Sequence, residues 1–350
     1  MAMSELLLIH EPEAACRSRL AAEGFAPRQA MEISSYLAQS TDIAREFDEI
    51  ARACAGRGVA FRPVALDDAA ASLRLADPMR TIVWTISDGI AYFRGGAGPA
   101  LARLHGLQTI GADDSLFALC QDKFRSGAVL GALGLPVPQA GLARDGRWLV
   151  EPPASPSGHF VKPNRLGAKI GIWADSRCHS LDHPLELSRR VFAAYRDDVI
   201  VQPYVGGRNV RASFLGLTRQ TGVEALGISF VESGGDFQTM QDSLELYGDT
   251  GAGAKAGGRY VEPALSPVAD TQPAAAAAIR AIAARMMDAL NLRDVFSLDF
   301  RVEADDTVHL IEFEVCPGLP CFDFRAYCRS QWNLGLAEAL AQSAANRLGL

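Results

Sequence analysis

The chain has 350 residues, 49% of them hydrophobic, and carries a net charge of −7. That is enough apolar material for more than one core, so two or three domains are expected. An acidic chain makes a poor general nucleic-acid binder, which excludes that class of partner. No stretch approaches the ~18 apolar residues of a membrane span. Leu6–Ile9 is too short for a signal peptide core and has no basic residue before it. A cytoplasmic protein without a membrane partner is expected.

In chain order, Glu5–Ile9 predicts a strand. Ser40-Thr41 predicts the cap of a helix running to about Ala55 and ended by Gly56-Arg57-Gly58. Val59–Val64 and Thr81–Ile86 predict two more strands, with a turn at Ser87-Asp88-Gly89. A helix at Pro99–His105 and a strand at Leu107–Ile110 complete a small parallel α/β unit ending near residue 120. Lys123–Leu133 predicts a helix closed by Gly134, and Pro136 and Pro138 force an extended exit. Glu151–Gly158 is a loop rich in Pro, Ser and Gly. Strands follow at His159–Lys162, Val199–Tyr204 and about Asn209–Leu217. Gly234–Gly258 holds seven glycines and predicts a long surface loop. Thr271 and Pro273 open a helix to about Leu290. Val295–Val302 and Val308–Val315 predict a hairpin, and Leu334–Leu348 a closing amphipathic helix.

The seven cysteines are scattered, with no CxxC pair, which predicts reduced thiols rather than disulfides or a structural zinc site. Cys316 reads as a small packed residue, because no histidine stands near it in sequence to activate it.

The hairpin carries an unusual charge pattern. Glu312 and Glu314 lie one residue apart, so on a strand both point to the same face. With Asp305-Asp306 as a two-residue loop, Ala304 pairs with Thr307. Asp299 then stands opposite Glu312, and Ser297 opposite Glu314. Three carboxylates on one face repel one another unless a cation offsets them. An all-oxygen donor set suits Mg²⁺ or Mn²⁺, and Mg²⁺ is commonly shared with phosphates. The alternative is a plainly solvated acidic face.

Only four lysines occur, Lys123, Lys162, Lys169 and Lys255; every other basic residue is an arginine. Lys162 ends a strand, and a turn from Gly167 to Gly171 with Lys169 inside it follows. Glycine lets backbone N–H groups approach phosphate. The stretch is neither a Walker loop nor a dinucleotide turn, since GxxxxGK[ST] and GxGxxG are both absent. Taken alone, it also reads as an ordinary hairpin loop.

The ordered set Gln121-Asp122-Lys123, VKPNRLGAKIGI (161–172), Val201-Gln202-Pro203-Tyr204, Asp299 and Glu312–Gly318 resembles the ATP-grasp superfamily. Within it, the D-alanine–D-alanine ligase-like branch is the most similar, from about Gly106 to the C-terminus. The resemblance implies an α/β (α+β) ATP-grasp fold: an N-terminal α/β domain over residues 1–121, a central subdomain over 122–205 and a C-terminal subdomain over 206–350. It implies ATP and Mg (or Mn) as cofactors. Lys123, Lys162, Gly167, Lys169 and Gly171 would serve the phosphates. Gln202, Tyr204, Val205 and Ile311 would serve adenine, with Asn209 at the ribose. Asp299, Glu312 and Glu314 match the metal ligands, and Gly318 an oxyanion donor. The implied chemistry is amide formation through an acyl phosphate, from a small carboxylate and an amine as partners. A homodimer is compatible with the family.

This chain departs from the D-alanine–D-alanine ligase pattern at Ala168, Ser297, Glu314 and Asp323. It also lacks the N-terminal glycine-serine-acid signature. These departures argue against D-alanine as substrate. GGRNVRASFLG (206–216) is similar to the arginine-bearing strand of the ribosomal-protein glutamate ligases and glutathione synthetases. Arg211 is therefore read as a catalytic substitute for the cation missing at position 297, or else as an exposed strand arginine. Lys255, Asp323 and Arg325 are read as substrate-selecting residues, the last two alternatively as a surface ion pair. His159 and His309 are read as packed or exposed, not as bases. Two further readings stand beside the ligase: a nucleotide-binding regulatory protein without turnover, and an ATP-grasp kinase that stops at phosphoryl transfer.

Overall fold

A computed structural model describes residues 3–40, 43–87, 94–232, 237–240, 264–319 and 321–350. Three sheets follow one another along the chain. The first is wholly parallel and contains β1 (Ser4–His10), β2 (Val59–Ala65), β3 (Thr81–Thr85) and β4 (Gln108–Ile110) in the order β2-β1-β3-β4. Helices cover both of its faces, which is why β1 is a continuous apolar run rather than an alternating one. Leu6 and Leu8 face one side; Leu7 and Ile9 face the other.

The second sheet is antiparallel and is built from β5 (Gly141–Arg144), β6 (Arg147–Val150), β7 (His159–Pro163), β8 (Arg177–Cys178) and β9 (Val199–Pro203), in the order β6-β5-β9-β7-β8. The third, also antiparallel, comprises β10 (Arg208–Leu215), β11 (Gly227–Glu232), β12 (Ala264–Pro267), β13 (Val295–Val302) and β14 (Val308–Glu314), in the order β12-β11-β10-β13-β14. This mixed α/β architecture is the one expected from the motifs.

The cores do not follow the sheets one by one. Leu6, Leu8, Trp84 and Ile110 of the first sheet share a single apolar core with Phe214, Phe296, Phe300 and Phe313 of the third. The helices Glu13–Ala22 and Pro27–Ser40 instead bury Cys16, Leu20, Ile33 and Leu37 against Val161, Val199 and Val201 of the second sheet. Arg196 reinforces that contact by donating to the carbonyls of Glu23 and Gly24, at 2.9 and 2.8 Å.

Several expectations are corrected. Ser40 ends the helix Pro27–Ser40, and the helix reaching Ala55 begins at Phe47 after a 3-10 turn at Ala44–Glu46. Thr41, the other half of the expected cap, lies outside the described residues. Asp88 and Gly89 of the expected turn and most of the Gly234–Gly258 loop lie outside them too. The helices Glu13–Ala22, Asp182–Tyr195 and Phe322–Trp332 and the β5–β6 hairpin were not expected. Phe322–Trp332 is aromatic-rich, and packing rather than propensity holds it. The Tyr327 hydroxyl accepts from Leu215 N–H and donates to the Ala225 carbonyl, both at 2.9 Å.

The β13–β14 loop contains three residues, not two: Glu303 N–H donates to Thr307 O at 2.9 Å, and Asp306 takes a left-handed φ of 68°. That shifts the register by one. A bulge at Ile311 shifts it back, so Asp299 does stand opposite Glu312, and Ser297 opposite Glu314.

Where the first and third sheets join, a buried ion pair ties the chain. Arg347 Nη2 lies 2.6 Å from Asp294 Oδ1, and the other Asp294 oxygen accepts from Gly111 N–H at 2.9 Å. The Arg347 side chain is 1% exposed. Removing one partner leaves the other charge buried without compensation. Asp294→Ala is expected to cost about 3–5 kcal/mol, read by chemical denaturation, while Asp294→Asn costs less because it keeps the acceptor for Gly111.

Candidate functional site

Charged side chains from three neighbouring strands form a row across the third sheet. Arg211 on β10 is paired in register with Asp299 on β13, which is paired with Glu312 on β14. Arg211 Nε lies 2.5 Å from Asp299 Oδ1, and Nη2 donates to Oδ2 at 3.1 Å. Arg211 Nη1 is 3.8 Å from Glu314 and 3.6 Å from Asp323. Ser297 Oγ donates to Glu314 at 3.3 Å. At the β14 end, Lys162 and Lys123 both face Glu312 Oε2, at 3.4 and 3.8 Å. The site thus divides into two halves. Two lysines meet one acid at one end; at the other, one guanidinium meets three.

The lysines are placed by a network that sequence reading missed. Asp122 caps the helix Lys123–Ala132 by accepting from Arg125 N–H at 3.0 Å. Asn164, just after β7, donates to Asp122 and accepts from Phe124 N–H at 2.8 Å. This stitches the start of the helix to the end of the strand that carries Lys162. Lys123 Nζ also donates to the Leu166 carbonyl at 2.8 Å, fastening the root of the glycine turn. Within that turn Ala168 and Lys169 are left-handed, with φ of 47° and 66°. At Gly171 a Cβ would lie 2.5 Å from Pro163, so only glycine brings the turn this close to β7. A small cleft opens here, lined by Lys123, Arg165, Gly167, Glu312, Glu314 and Cys316.

Burial opposes the Glu312 charge, but Lys162, Lys123 and Arg211 outweigh it and hold the carboxyl down at about 2. Asp299 moves the opposite way, pushed up by burial and by repulsion from Glu312 and Asp323 against the pull of Arg211. Burial pulls Lys162 down, with Lys123 adding repulsion, although Glu312 favours its charge. Burial also opposes the Arg211 charge, yet Asp299, Asp323 and Glu314 prevail and keep the guanidinium firmly protonated. The Cys321 thiol is pushed up to about 12 by burial and the nearby Asp323, which leaves it inert as a nucleophile. Cys316 is buried and lines the cleft.

The donors facing Arg211 are all oxygen, as a hard divalent cation requires. The guanidinium supplies the positive charge between them here. As they stand, no three His, Cys, Asp or Glu among the described residues meet closely enough to hold an ion. The residues fit such a cation in donor chemistry and in face, with Arg211 as the group that must give way.

On the strand leading from the second sheet to the third, Gln202 is buried and donates to the Pro138 carbonyl at 3.4 Å. Arg301, also missed in sequence, gathers the expected nucleotide-side residues. It donates to the Val205 carbonyl at 3.2 Å, to Asn209 Oδ1 at 2.7 Å and to the Tyr204 hydroxyl at 3.4 Å. Ile311 is the bulge residue. Gly318 accepts from Cys321 N–H at 2.9 Å in the turn before the next helix. Arg325 does not pair with Asp323, because it points across to Glu46 at 2.7 Å. Successive positions in a helix's first turn point in different directions, so the two residues separate. Lys255 lies outside the described residues. His159 is buried against the Pro153 carbonyl, and His309 pairs with Glu303.

A family model described as D-ala D-ala ligase C-terminus matches residues 156–337, just over half of the chain. The chain belongs to this family. It is 28% identical over 213 residues to a D-alanine–D-alanine ligase of Caulobacter vibrioides, a match spanning 58% of this chain and 57% of the relative's length. The fold matches that of D-alanyl-alanine synthetase A from Vibrio cholerae, with a TM-score of 0.62 and 14% identity over 100% of both chains. It also matches the ATP complex of the Bacillus anthracis D-alanine–D-alanine ligase, with a TM-score of 0.61 and 12% identity over 99% of this chain and 98% of that one. The fold and family are those implied by the lysine, glycine and acid motifs. Among the described residues, no helix is long and apolar enough to cross a membrane.

The depressed Glu312 carboxyl has a consequence for stability. A free glutamate titrates near 4.3, and Glu312 in the fold at about 2. Its stabilisation is therefore fully present above about pH 4.3 and is lost as the pH falls toward 2. Acid unfolding of Glu312→Gln should show a shallower loss across that window than the parent chain. Parallel curves would mean that Glu312 is not coupled to the lysines.

Proposed function

We propose that the chain is an ATP- and divalent-metal-dependent carboxylate–amine ligase that forms an amide bond through an acyl phosphate. The observation that carries this reading is the polarised row: two lysines at the β14 end and an acid-rich pocket around Arg211 at the β10 end. Lys123 and Lys162 bind the triphosphate and offset its charge. The turn from Gly167 to Gly171, with Lys169, closes over it and keeps water from the activated acid. Gln202, Tyr204 and Val205 hold adenine, with Ile311 beside them and Asn209 at the ribose. Asp299, Glu312 and Glu314 would hold Mg²⁺ or Mn²⁺, which neutralises charge on the transferring phosphoryl group. Gly318 N–H supports the oxyanion when the amine attacks. The three sheets then correspond to the domains 1–121, 122–205 and 206–350.

The substrates are a small carboxylate and an amine, each read as an amino acid. The relative from Caulobacter is named for D-alanine, and that name weighs against the expectation of a different substrate. Ala168, Ser297, Glu314 and Asp323 weigh for it. D-Alanine therefore belongs in the same panel as other amino acids.

Incubated with ATP, Mg²⁺ and that panel, the chain should release ADP and phosphate only when an acid and an amine are both present. Lys162→Ala should lower turnover by about 10²–10³-fold. Nucleotide binding without ADP release across the panel would favour a regulatory protein. A phosphorylated product without amide would favour a kinase.

A further inference from the structure

Arg211 must lose partners when the site fills. Its Nε and Nη2 grip Asp299, and its Nη1 is shared between Glu314 and Asp323. Asp299 and Glu314 both project from the β13–β14 hairpin, on the face that would take the cation. Once a dication occupies them, their charge no longer holds a guanidinium, and repulsion between like charges drives it out of the site. Asp323 differs from the other two in origin. It comes from the first turn of the helix Phe322–Trp332, which packs beside β10, and is 13% exposed. It is the one acid of the three that can stay with Arg211.

We propose that Asp323 is a positioning residue, which keeps the Arg211 guanidinium in the site and aims it at the oxygens of the transferring phosphoryl group. The inference rests on the ligase reading above. Arg211 and Glu312 are two strands apart, roughly 9.5 Å. The lysines that face Glu312 therefore meet the phosphate chain at one end of the row, and Arg211 meets the group in transfer from the other. With Nη1 on Asp323, the Nε and Nη2 donors released by Asp299 become available to phosphoryl oxygens in the fork geometry that arginine offers. Ser297, opposite Glu314, supplies no cation of its own on the hairpin.

The test needs no knowledge of the acid or amine. Calorimetry would compare ADP with Mg²⁺ alone against ADP with Mg²⁺ and aluminium fluoride, which mimics the phosphoryl group in flight. Asp323→Asn should weaken the fluoride complex by about 10- to 100-fold more than it weakens the ADP complex. Asp323→Glu should recover most of the loss. The double variant Arg211→Ala with Asp323→Asn should be no weaker than Arg211→Ala alone, because the two residues act as one unit. Equal losses with and without fluoride would indicate a merely structural role. Losses that multiply in the double variant, or no loss in Asp323→Asn, would equally overturn the proposal. If the parent chain fails to bind ADP with Mg²⁺, the ligase reading falls first and takes this inference with it.

Discussion

Like charges crowded on one face of a sheet must be offset, and this requirement organises the molecule's functional half. Asp299, Glu312 and Glu314 share the face of a hairpin whose other side is core: Leu298, Phe300, Leu310 and Phe313 are all buried. Such a hairpin cannot turn its acids away without exposing that core. Cations therefore come to the acids, and they come from separate parts of the chain: Lys123 from a helix start, Lys162 from the second sheet and Arg211 from the adjacent strand.

The packing makes that convergence possible. Lys162 belongs to the second sheet, whereas the acids belong to the third, which shares its core with the first and with Leu130 of the helix that carries Lys123. Glu312 is thus an electrostatic link between two separately packed bodies. A polyanion arriving between them competes for the same lysines, and a dication competes with Arg211 for the same acids. Binding chemistry and the contact between the bodies draw on one set of charges. Family membership supplies the fold in which such a cleft sits, while Ser297 and Asp323 take part in the charge balance around Arg211 and Glu314.

Much of the site was legible because strand periodicity is simple. Glu-x-Glu on a strand places both acids on one face whatever the rest of the fold does. The facing of Asp299 and Glu312 was also read correctly, but through two errors that cancelled: a loop one residue longer than counted and a bulge at Ile311. Loop length and bulges depend on hydrogen bonds to other segments; here Leu310 N–H donates to the Pro136 carbonyl, far away in sequence. The helices Glu13–Ala22 and Phe322–Trp332 were missed for a related reason. Their stability comes from what they pack against rather than from strong local signals.

Local pattern alone decided the strands of the parallel sheet, the long helix opened by Pro273, the same-face acids and the order of lysines, glycines and acids along the chain. These rest on short-range rules of side-chain alternation, capping and backbone freedom, which act within a few residues. Tertiary structure alone decided that Arg211 lies among three acids, that Arg325 leaves Asp323 for Glu46, and that Asn164 and Arg301 hold the site together. Ion pairs and buried hydrogen bonds form between residues brought close by packing, and for charges far apart in the chain their separation in sequence does not set their distance in space.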